Sequence, residues 1–212
     1  MKPATKTLLL LLLTVSLALS AFTAVPARAS EKDEAYAAYY DLIEALHEGD
    51  EWSDGFDRFK LIYVDADDIP ELLAVDTPGD EYDNNGITYY ELYSYYNGEA
   101  VLLGSYSSGV ASAGGYRGST MYIKKSGKVL ETYMEAGSGD AGDTVYKMEN
   151  GAMTEIAHGD YNIATDDTVW DGKAMSYAKY NKKLNKTFKM KKAKSFEDLK
   201  TSSYKSMRKK LK

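Results

Sequence analysis

The stretch that decides the fold runs from Ile87 to Tyr106 and reads I-T-Y-Y-E-L-Y-S-Y-Y-N-G-E-A-V-L-L-G-S-Y. Its two arms are rich in aromatic and aliphatic residues, which favour β-strands. Between the arms, Asn97-Gly98 supplies two residues that readily adopt the positive φ angles of a tight hairpin turn. The stretch therefore predicts a β-hairpin with strands at Ile87–Tyr96 and Ala100–Tyr106.

The hairpin signal recurs toward the C terminus. Ser126-Gly127 and Asn150-Gly151 each separate two strand-like runs, and Asp171-Gly172 can close another hairpin. The glycine-rich stretch 104–118 predicts a mobile loop between hairpins. Because strand–helix–strand alternation is missing, we expect an antiparallel meander of about six to nine strands and no parallel sheet. The other predicted strands are Thr120–Lys125, Val129–Glu135, Thr144–Glu149 and Met153–Ala157.

Helical periodicity is found on both sides of this meander. Apolar residues recur every three or four positions in residues 31–48, and Gly49 can end that helix. Near the C terminus, Ser176 can cap one helix, and Ser195 with Asp198 forms a capping-box pattern for a second. The prediction is an α+β fold with an N-terminal helix, the meander, and C-terminal helices packed on the sheet.

The first 29 residues have the order of a secretory signal peptide. Two lysines precede the short apolar run Leu8–Leu19, and Ala27-Arg28-Ala29 supplies a small-residue cleavage pattern. We predict that residues 30–212 form a single exported α+β domain, extracellular or cell-wall associated. The chain has no cysteine, which excludes disulfides and a lipid-anchored lipoprotein. No second apolar run is long enough to span a membrane, so we expect no membrane span in the mature chain.

Charge is distributed unevenly in the mature chain. Residues 30–172 carry 8 Lys/Arg and 30 Asp/Glu, a net charge of −22, whereas residues 173–212 carry 15 Lys/Arg and 2 Asp/Glu, a net charge of +13. The basic segment either folds against the acidic body or tethers the protein to anionic polymers, and its apolar periodicity favours the first interpretation. Export and the negative net charge argue against nucleic acid as a partner.

A second informative stretch, Phe59–Val75, reads F-K-L-I-Y-V-D-A-D-D-I-P-E-L-L-A-V. A buried strand runs into a turn with three acids inside four residues (Asp65, Asp67 and Asp68), and a second strand follows. Such carboxylates repel one another unless water or a cation compensates them. The turn is therefore either solvent-facing or a cation site.

The stretch resembles the D-x-D-x-D-G-x-P-E-L turn of calcium-binding FG-GAP and VCBS-type repeats, in the degenerate form of exported proteins of unknown function from Gram-positive gut bacteria. The run Gly172–Leu184, G-K-x-x-S-x-x-x-Y-x-K-K-L, is similar to the C-terminal part of that family. The resemblance implies a weak calcium site, with the Ile69 carbonyl as a further ligand. Tyr63 at the first ligand position and Asp68 at the glycine position depart from the pattern. The implied carboxylate ligands are Asp65, Asp67 and Glu71.

No catalytic constellation is visible in the sequence. The two histidines, His47 and His158, lack metal-binding spacing, and there is no nucleophile elbow. The sequence therefore favours a secreted, non-catalytic binding or interaction module whose partner is a glycan, a peptide or a cell-wall polymer. The alternative is a secreted glycan hydrolase with a carboxylate pair roughly 5–10 Å apart in a deep cleft.

Aromatic residues suggest where such a partner could bind. The chain has 19 tyrosines, and alternation along one predicted strand places Tyr89, Tyr93 and Tyr95 on the same face. An exposed aromatic row can stack on sugars or peptides. The alternative is a half-buried strand whose tyrosine hydroxyls reach water.

Overall fold

The computed structural model describes residues 29–49, 55–76, 86–111 and 115–212. Residues Lys32–Lys212 form one compact unit. Residues 1–28 of the predicted leader lie outside the described residues, so the signal peptide and its cleavage stay predictions.

The described residues form helices at both ends of the compact unit and strands between them. The α-helices are α1 (Glu31–Glu48), α2 (Tyr177–Thr187) and α3 (Tyr204–Leu211), and a 3-10 helix spans Met190–Lys192. The strands are β1 (Arg58–Ile62), β2 (Glu71–Asp76), β3 (Ile87–Tyr96), β4 (Glu99–Val110), β5 (Tyr116–Ile123), β6 (Lys128–Glu135), β7 (Asp140–Glu149), β8 (Ala152–Asn162), β9 (Thr168–Trp170), β10 (Lys173–Ala174), β11 (Lys194–Ser195) and β12 (Ser202–Ser203).

All twelve strands of the described chain belong to one antiparallel sheet. The order is β10-β9-β8-β7-β6-β5-β4-β3-β2-β1-β12, and β11 pairs with β5 beside this path. The predicted antiparallel α+β fold is confirmed, but the predicted six to nine strands are too few. Strands β9 to β12 have only two or three residues each, too few to display an alternating pattern in the sequence.

Most of the predicted hairpin turns have the expected backbone geometry. Both turn residues have positive φ angles at Asn97-Gly98 (53° and 92°), Asn150-Gly151 (53° and 69°) and Asp171-Gly172 (48° and 71°). The turn between β5 and β6 differs, because its positive φ angles belong to Lys125 (58°) and Gly127 (70°). Local turn chemistry thus sets the register of the meander.

The predicted mobile loop at 104–118 is wrong for the described residues. Strand β4 continues to Val110 and β5 begins at Tyr116, with only 112–114 outside the described residues. The glycines here leave space for tyrosine rings. A Cβ on Gly104 would lie 2.9 Å from the Tyr106 hydroxyl, and a Cβ on Gly118 would overlap the Tyr116 ring. Glycine therefore accommodates aromatic packing in these strands.

The sheet folds over between β4 and β5, which pair only at Gly109↔Gly118 and Val110↔Arg117. The two halves, β12 with β1–β4 and β5–β10, share one core. Strand β11 lies beside β5 where β4 has left it, and the Phe196 N–H donates to the Thr120 carbonyl (2.9 Å). The members of this inner core include Val64, Leu73, Tyr90, Tyr106, Tyr122, Val129 and Phe196.

Helices cover the outer face of each half. Helices α1 and α3 pack on β1–β3, and α2 packs on the other half. The predicted packing of helices on the sheet is thereby confirmed, and the predicted helix at 31–48 has the expected bounds. The principal buried residues are Tyr39, Ile43, Phe59, Leu72 and Met207 in the first of these outer cores, and Leu130, Val145, Trp170, Tyr180 and Leu184 in the second.

The second C-terminal helix begins later than its capping pattern predicts. Ser195 belongs to β11 and pairs with Met121, and the helix begins only at Tyr204. The capping-box prediction is wrong because the sheet engages the backbone at Ser195 and Phe196. In the part of the chain that the structure describes, no helix has both the length and the apolar character needed to cross a bilayer.

Candidate functional site

The candidate site is the acidic turn, residues 63–71, which joins β1 to the start of β2. The antiparallel pair Ile62↔Glu71 closes the turn. Val64 anchors it to the other half of the sheet, because its carbonyl accepts hydrogen bonds from the Ser126 and Gly127 N–H groups (2.8 and 2.7 Å). The turn is thus held from both sides of the inner core.

Three carboxylates of the acidic turn converge. One oxygen from each of Asp65, Asp67 and Glu71 lies within 4.8 Å of the others. Local bonds shape this arrangement: the Asp67 N–H donates to Asp65 Oδ1 (3.1 Å), and the Ile69 N–H donates to Asp67 Oδ1 (2.8 Å). The structure therefore brings together the three carboxylates that the resemblance of the turn implies as ligands.

Glu71 is the unusual member of this group, because its side chain is only 1% exposed. Burial and, to a smaller extent, the charges of Asp65 and Asp67 together raise the pKa of Glu71 to about 8, although the hydrogen bond from the Val64 N–H (2.6 Å) acts in the opposite direction. Without a cation, Glu71 therefore holds a proton at neutral pH. A bound cation would favour its ionised form.

Tyr39 of α1 adds a feature that the sequence did not indicate. Its hydroxyl is buried and makes no hydrogen bond of good geometry among the described residues, although the Tyr95 backbone is near enough to lower its pKa. Burial raises the pKa of Tyr39, and the charges of Glu71, Asp67 and Asp65 raise it further, which places the hydroxyl in the field of the same carboxylates. A buried hydroxyl without a well-formed hydrogen bond is costly, so a water or ligand beside it would be stabilised. The helical pattern alone identified Tyr39 as a packing residue.

The two departures from the calcium-binding pattern have structural counterparts. Tyr63, at the first ligand position, lies with its ring centroid 5.6 Å from the ammonium groups of both Lys124 and Lys125. Asp68, at the glycine position, is exposed and forms an ion pair with Lys125 (3.1 Å). Asp68 is therefore separate from the convergent group and offers a matched control for it.

The tyrosines of β3 lie mostly inside the protein. Tyr89 is 48% exposed, but Tyr93 and Tyr95 are only 7% and 9% exposed, because α1 and α3 cover this face. The Tyr93 hydroxyl donates to Glu91, and the Tyr95 hydroxyl donates to Glu34 (3.2 Å). Ligand binding by this row stays a prediction, and the surface available for it is that of Tyr89.

A cavity of about 410 Å³ lies where β7 begins and β8 ends, a place where sequence reasoning indicated no site. Asn162 donates to Asp140 (2.8 Å) and lowers the pKa of that carboxyl. Asp140 is therefore ionised and lacks the proton that a general acid would donate. The cavity is lined by Tyr133, Asp140, Ala141, Asp160, Tyr161, Asn162, Thr165, Asp167 and Val169.

The histidines have structural partners. His47 stacks on Tyr204 with ring centroids 3.9 Å apart and bonds to the Phe56 carbonyl (3.2 Å). His158 lies within β8, between the Thr144 hydroxyl (2.9 Å) and the Asp160 carboxylate (3.0 Å). That order of hydroxyl, imidazole and carboxylate is also found in hydrolases. Here, however, Thr144 is paired with a strand on both sides, and the His158 N–H donates to Asp171 Oδ1 (3.1 Å), so the backbone beside the hydroxyl and the imidazole is not arranged as an oxyanion hole.

Comparison of this chain with protein-family models, with curated proteins and with solved structures finds no match. A functional conclusion therefore depends on the geometry and electrostatics of the site.

Proposed function

We propose that this protein is an exported, non-catalytic binding module whose acidic turn binds a calcium ion. The observation that carries the proposal is the convergence of the Asp65, Asp67 and Glu71 oxygens within 4.8 Å. The secretory leader pattern supports export, and calcium is abundant outside cells. A resemblance to calcium-binding surface repeats accords with the same function.

Calcium suits this site because all three side chains offer oxygen ligands in a turn of irregular geometry. Calcium accepts six to eight oxygen ligands with variable geometry, whereas magnesium demands a near-ideal octahedron. The three carboxylates would supply part of the set, and the Ile69 carbonyl and water could add to it. Since Tyr63 replaces one usual ligand, we expect a dissociation constant in the weak extracellular range, about 10⁻⁴–10⁻³ M.

The ion would act structurally. Val64 lies next to Asp65, donates to Glu71 and accepts two bonds from the turn between β5 and β6. A cation that neutralises the acidic turn would therefore stabilise the contact between the two halves of the sheet. Binding also stabilises the folded state by mass action.

Calorimetry and thermal unfolding with millimolar calcium test this proposal. We expect heat of binding and a raised melting temperature for the unmodified chain, and loss of both in Asp65→Asn and Asp67→Asn. The control is Asp68→Asn, which removes the same charge three residues from Asp65 but outside the convergent group. Absence of heat at millimolar calcium together with an unchanged melting temperature would eliminate the site.

A further inference from the structure

The surface formed by α2 and the 3-10 helix after it carries a dense positive charge. Residues 179–194 contain eight lysines and no aspartate or glutamate. All eight side chains are exposed. We name this surface the basic face; its members are Lys179, Lys182, Lys183, Lys186, Lys189, Lys191, Lys192 and Lys194.

The lysines of α2 form a stripe along the helix. They occupy positions i, i+3, i+4 and i+7, starting at Lys179, so they share one side of the helix. Tyr180 and Leu184 on the other side are buried against the sheet. With a rise of 1.5 Å per residue, the stripe extends roughly 10 Å along α2 before the 3-10 helix continues it.

This charge is not neutralised within the described structure. Among the described residues, no ion pair involves any lysine of the basic face. The first turn of α2 contains no acid to complement the helix dipole. Like charges four residues apart, as in Lys179 and Lys183, destabilise a helix. The arrangement therefore weakens the isolated helix and suits an anionic partner.

The shape and composition of the basic face select among anionic partners. A row of charges over 10 Å or more fits an extended chain better than one small anion. A bilayer surface fits poorly, since the apolar residues of α2 (Tyr180 and Leu184) and Phe188 just after it are buried in an outer core and cannot insert. Lysine binds phosphate as a point charge without the bidentate geometry of arginine, so this face would hold a polyanion by the spacing of its charges and not by a fixed orientation of each phosphate.

We propose that the basic face binds a linear polyol-phosphate polymer, such as a poly(glycerol phosphate) chain outside the cell. The choice of an extracellular polymer over nucleic acid rests on the export included in the proposed function. The position of the Tyr177 side chain agrees with this choice. The exposed Tyr177 lies on the side of α2 away from the lysine stripe, so it cannot stack on bases of a strand bound there.

Fluorescence anisotropy with a labelled poly(glycerol phosphate) chain tests the inference, with residues 30–212 in 50 mM salt and EDTA. The triple variant Lys182→Gln/Lys183→Gln/Lys186→Gln should bind at least tenfold more weakly. Because each lost phosphate contact contributes about 0.7 to the salt slope for a single-stranded polyanion, the slope should fall by about two.

The matched control is Lys205→Gln/Lys209→Gln/Lys210→Gln on α3, which makes the same charge change over the other half of the sheet. All three of these lysines are exposed. The control should change affinity less than threefold. Equal weakening by both triple variants, or no binding by the unmodified chain, would overturn the inference.

Further probes separate the alternatives. The polyol-phosphate assignment would be overturned if the chain bound single-stranded DNA of equal charge, or anionic vesicles, more tightly than poly(glycerol phosphate). Self-association of the chain through this face, measured by sedimentation, would overturn it as well. Because EDTA is present, failure of the calcium site would not affect this result. An Asp67→Asn variant that keeps polymer binding would support the inference, because it removes a carboxylate of the proposed calcium site and leaves the basic face unchanged.

Discussion

Replacement of Glu71 by glutamine should remove most of the pH dependence of stability between pH 4.5 and pH 8. The pKa of Glu71 is about 8 in the folded chain, because its side chain is buried, against an ordinary value of 4.5. Between these values the unfolded chain has lost the Glu71 proton while the folded chain still holds it. Unfolding therefore releases a proton, and the free energy of unfolding falls as pH rises through this window.

The magnitude follows from the same two values. At 1.36 kcal/mol per pKa unit, a rise from 4.5 to about 8 corresponds to an upper bound of about 5 kcal/mol lost by pH 8. Local relaxation and water entry reduce such penalties, so we expect about 2–5 kcal/mol. Glutamine keeps the shape and an oxygen acceptor for the Val64 N–H, and its amide can donate to Asp65 or Asp67.

Urea unfolding at several pH values between 5 and 9, with EDTA present, measures the effect. The Glu71→Gln variant should match the unmodified chain near pH 5 and exceed it in stability at pH 8. Asp68→Asn, which neutralises an exposed acid of the same turn, is the control for net charge. Parallel stability curves for the unmodified chain and Glu71→Gln between pH 5 and pH 8 would refute the reasoning.

Calcium should narrow this difference at pH 8, since it stabilises the ionised Glu71 of the unmodified chain, whereas Glu71→Gln offers the ion one carboxylate fewer. At pH 7, binding should release up to about one proton per calcium ion, because Glu71, with a pKa of about 8, is mostly protonated beforehand. Calorimetry in two buffers of different ionisation enthalpy measures that release. Calcium binding without proton release at pH 7 would mean that Glu71 is not a ligand.

Three further predictions concern the cores and a buried hydrogen bond. Gly159→Ala should lower the free energy of unfolding in urea by about 1–3 kcal/mol, because the added Cβ would overlap the Tyr180 ring. Gly137→Ala is the control and should be nearly neutral, because the space around Gly137 is open. Tyr180→Phe should cost about 1–3 kcal/mol, since it removes the hydroxyl that donates to the buried Asp143 carboxylate (2.6 Å); an unchanged urea midpoint would contradict that role. Phe196→Ala should cost about 3–5 kcal/mol, because this ring fills the inner core between the halves of the sheet, and a loss below 1 kcal/mol would show that the core closes without it.

The sequence by itself determined the features that depend on neighbours in the chain. The turns at Asn97-Gly98 and Asn150-Gly151 have their predicted positive φ angles, and helix α1 has its predicted bounds. The convergence of Asp65, Asp67 and Glu71 also comes from one short segment, because the three carboxylates are separated by only a few residues. Backbone preferences of adjacent residues are sufficient for such features.

Only the tertiary structure decided which surfaces are covered. Alternation places Tyr93 and Tyr95 on one face of β3, but it does not reveal that α1 and α3 bury that face. Ser195 has the sequence of a helix cap, yet it joins the sheet because β4 separates from β5 and leaves the edge of β5 free to pair with β11.

The chemistry of Glu71 depends on the same long-range contacts. Its high pKa comes mainly from burial, which the sequence of the turn does not specify. Burial results from elements distant in the chain, among them α1 with Tyr39 and the turn between β5 and β6 that anchors Val64. Local residue preferences set the conformation of each segment, whereas solvent exclusion and charge environment depend on how distant segments pack together.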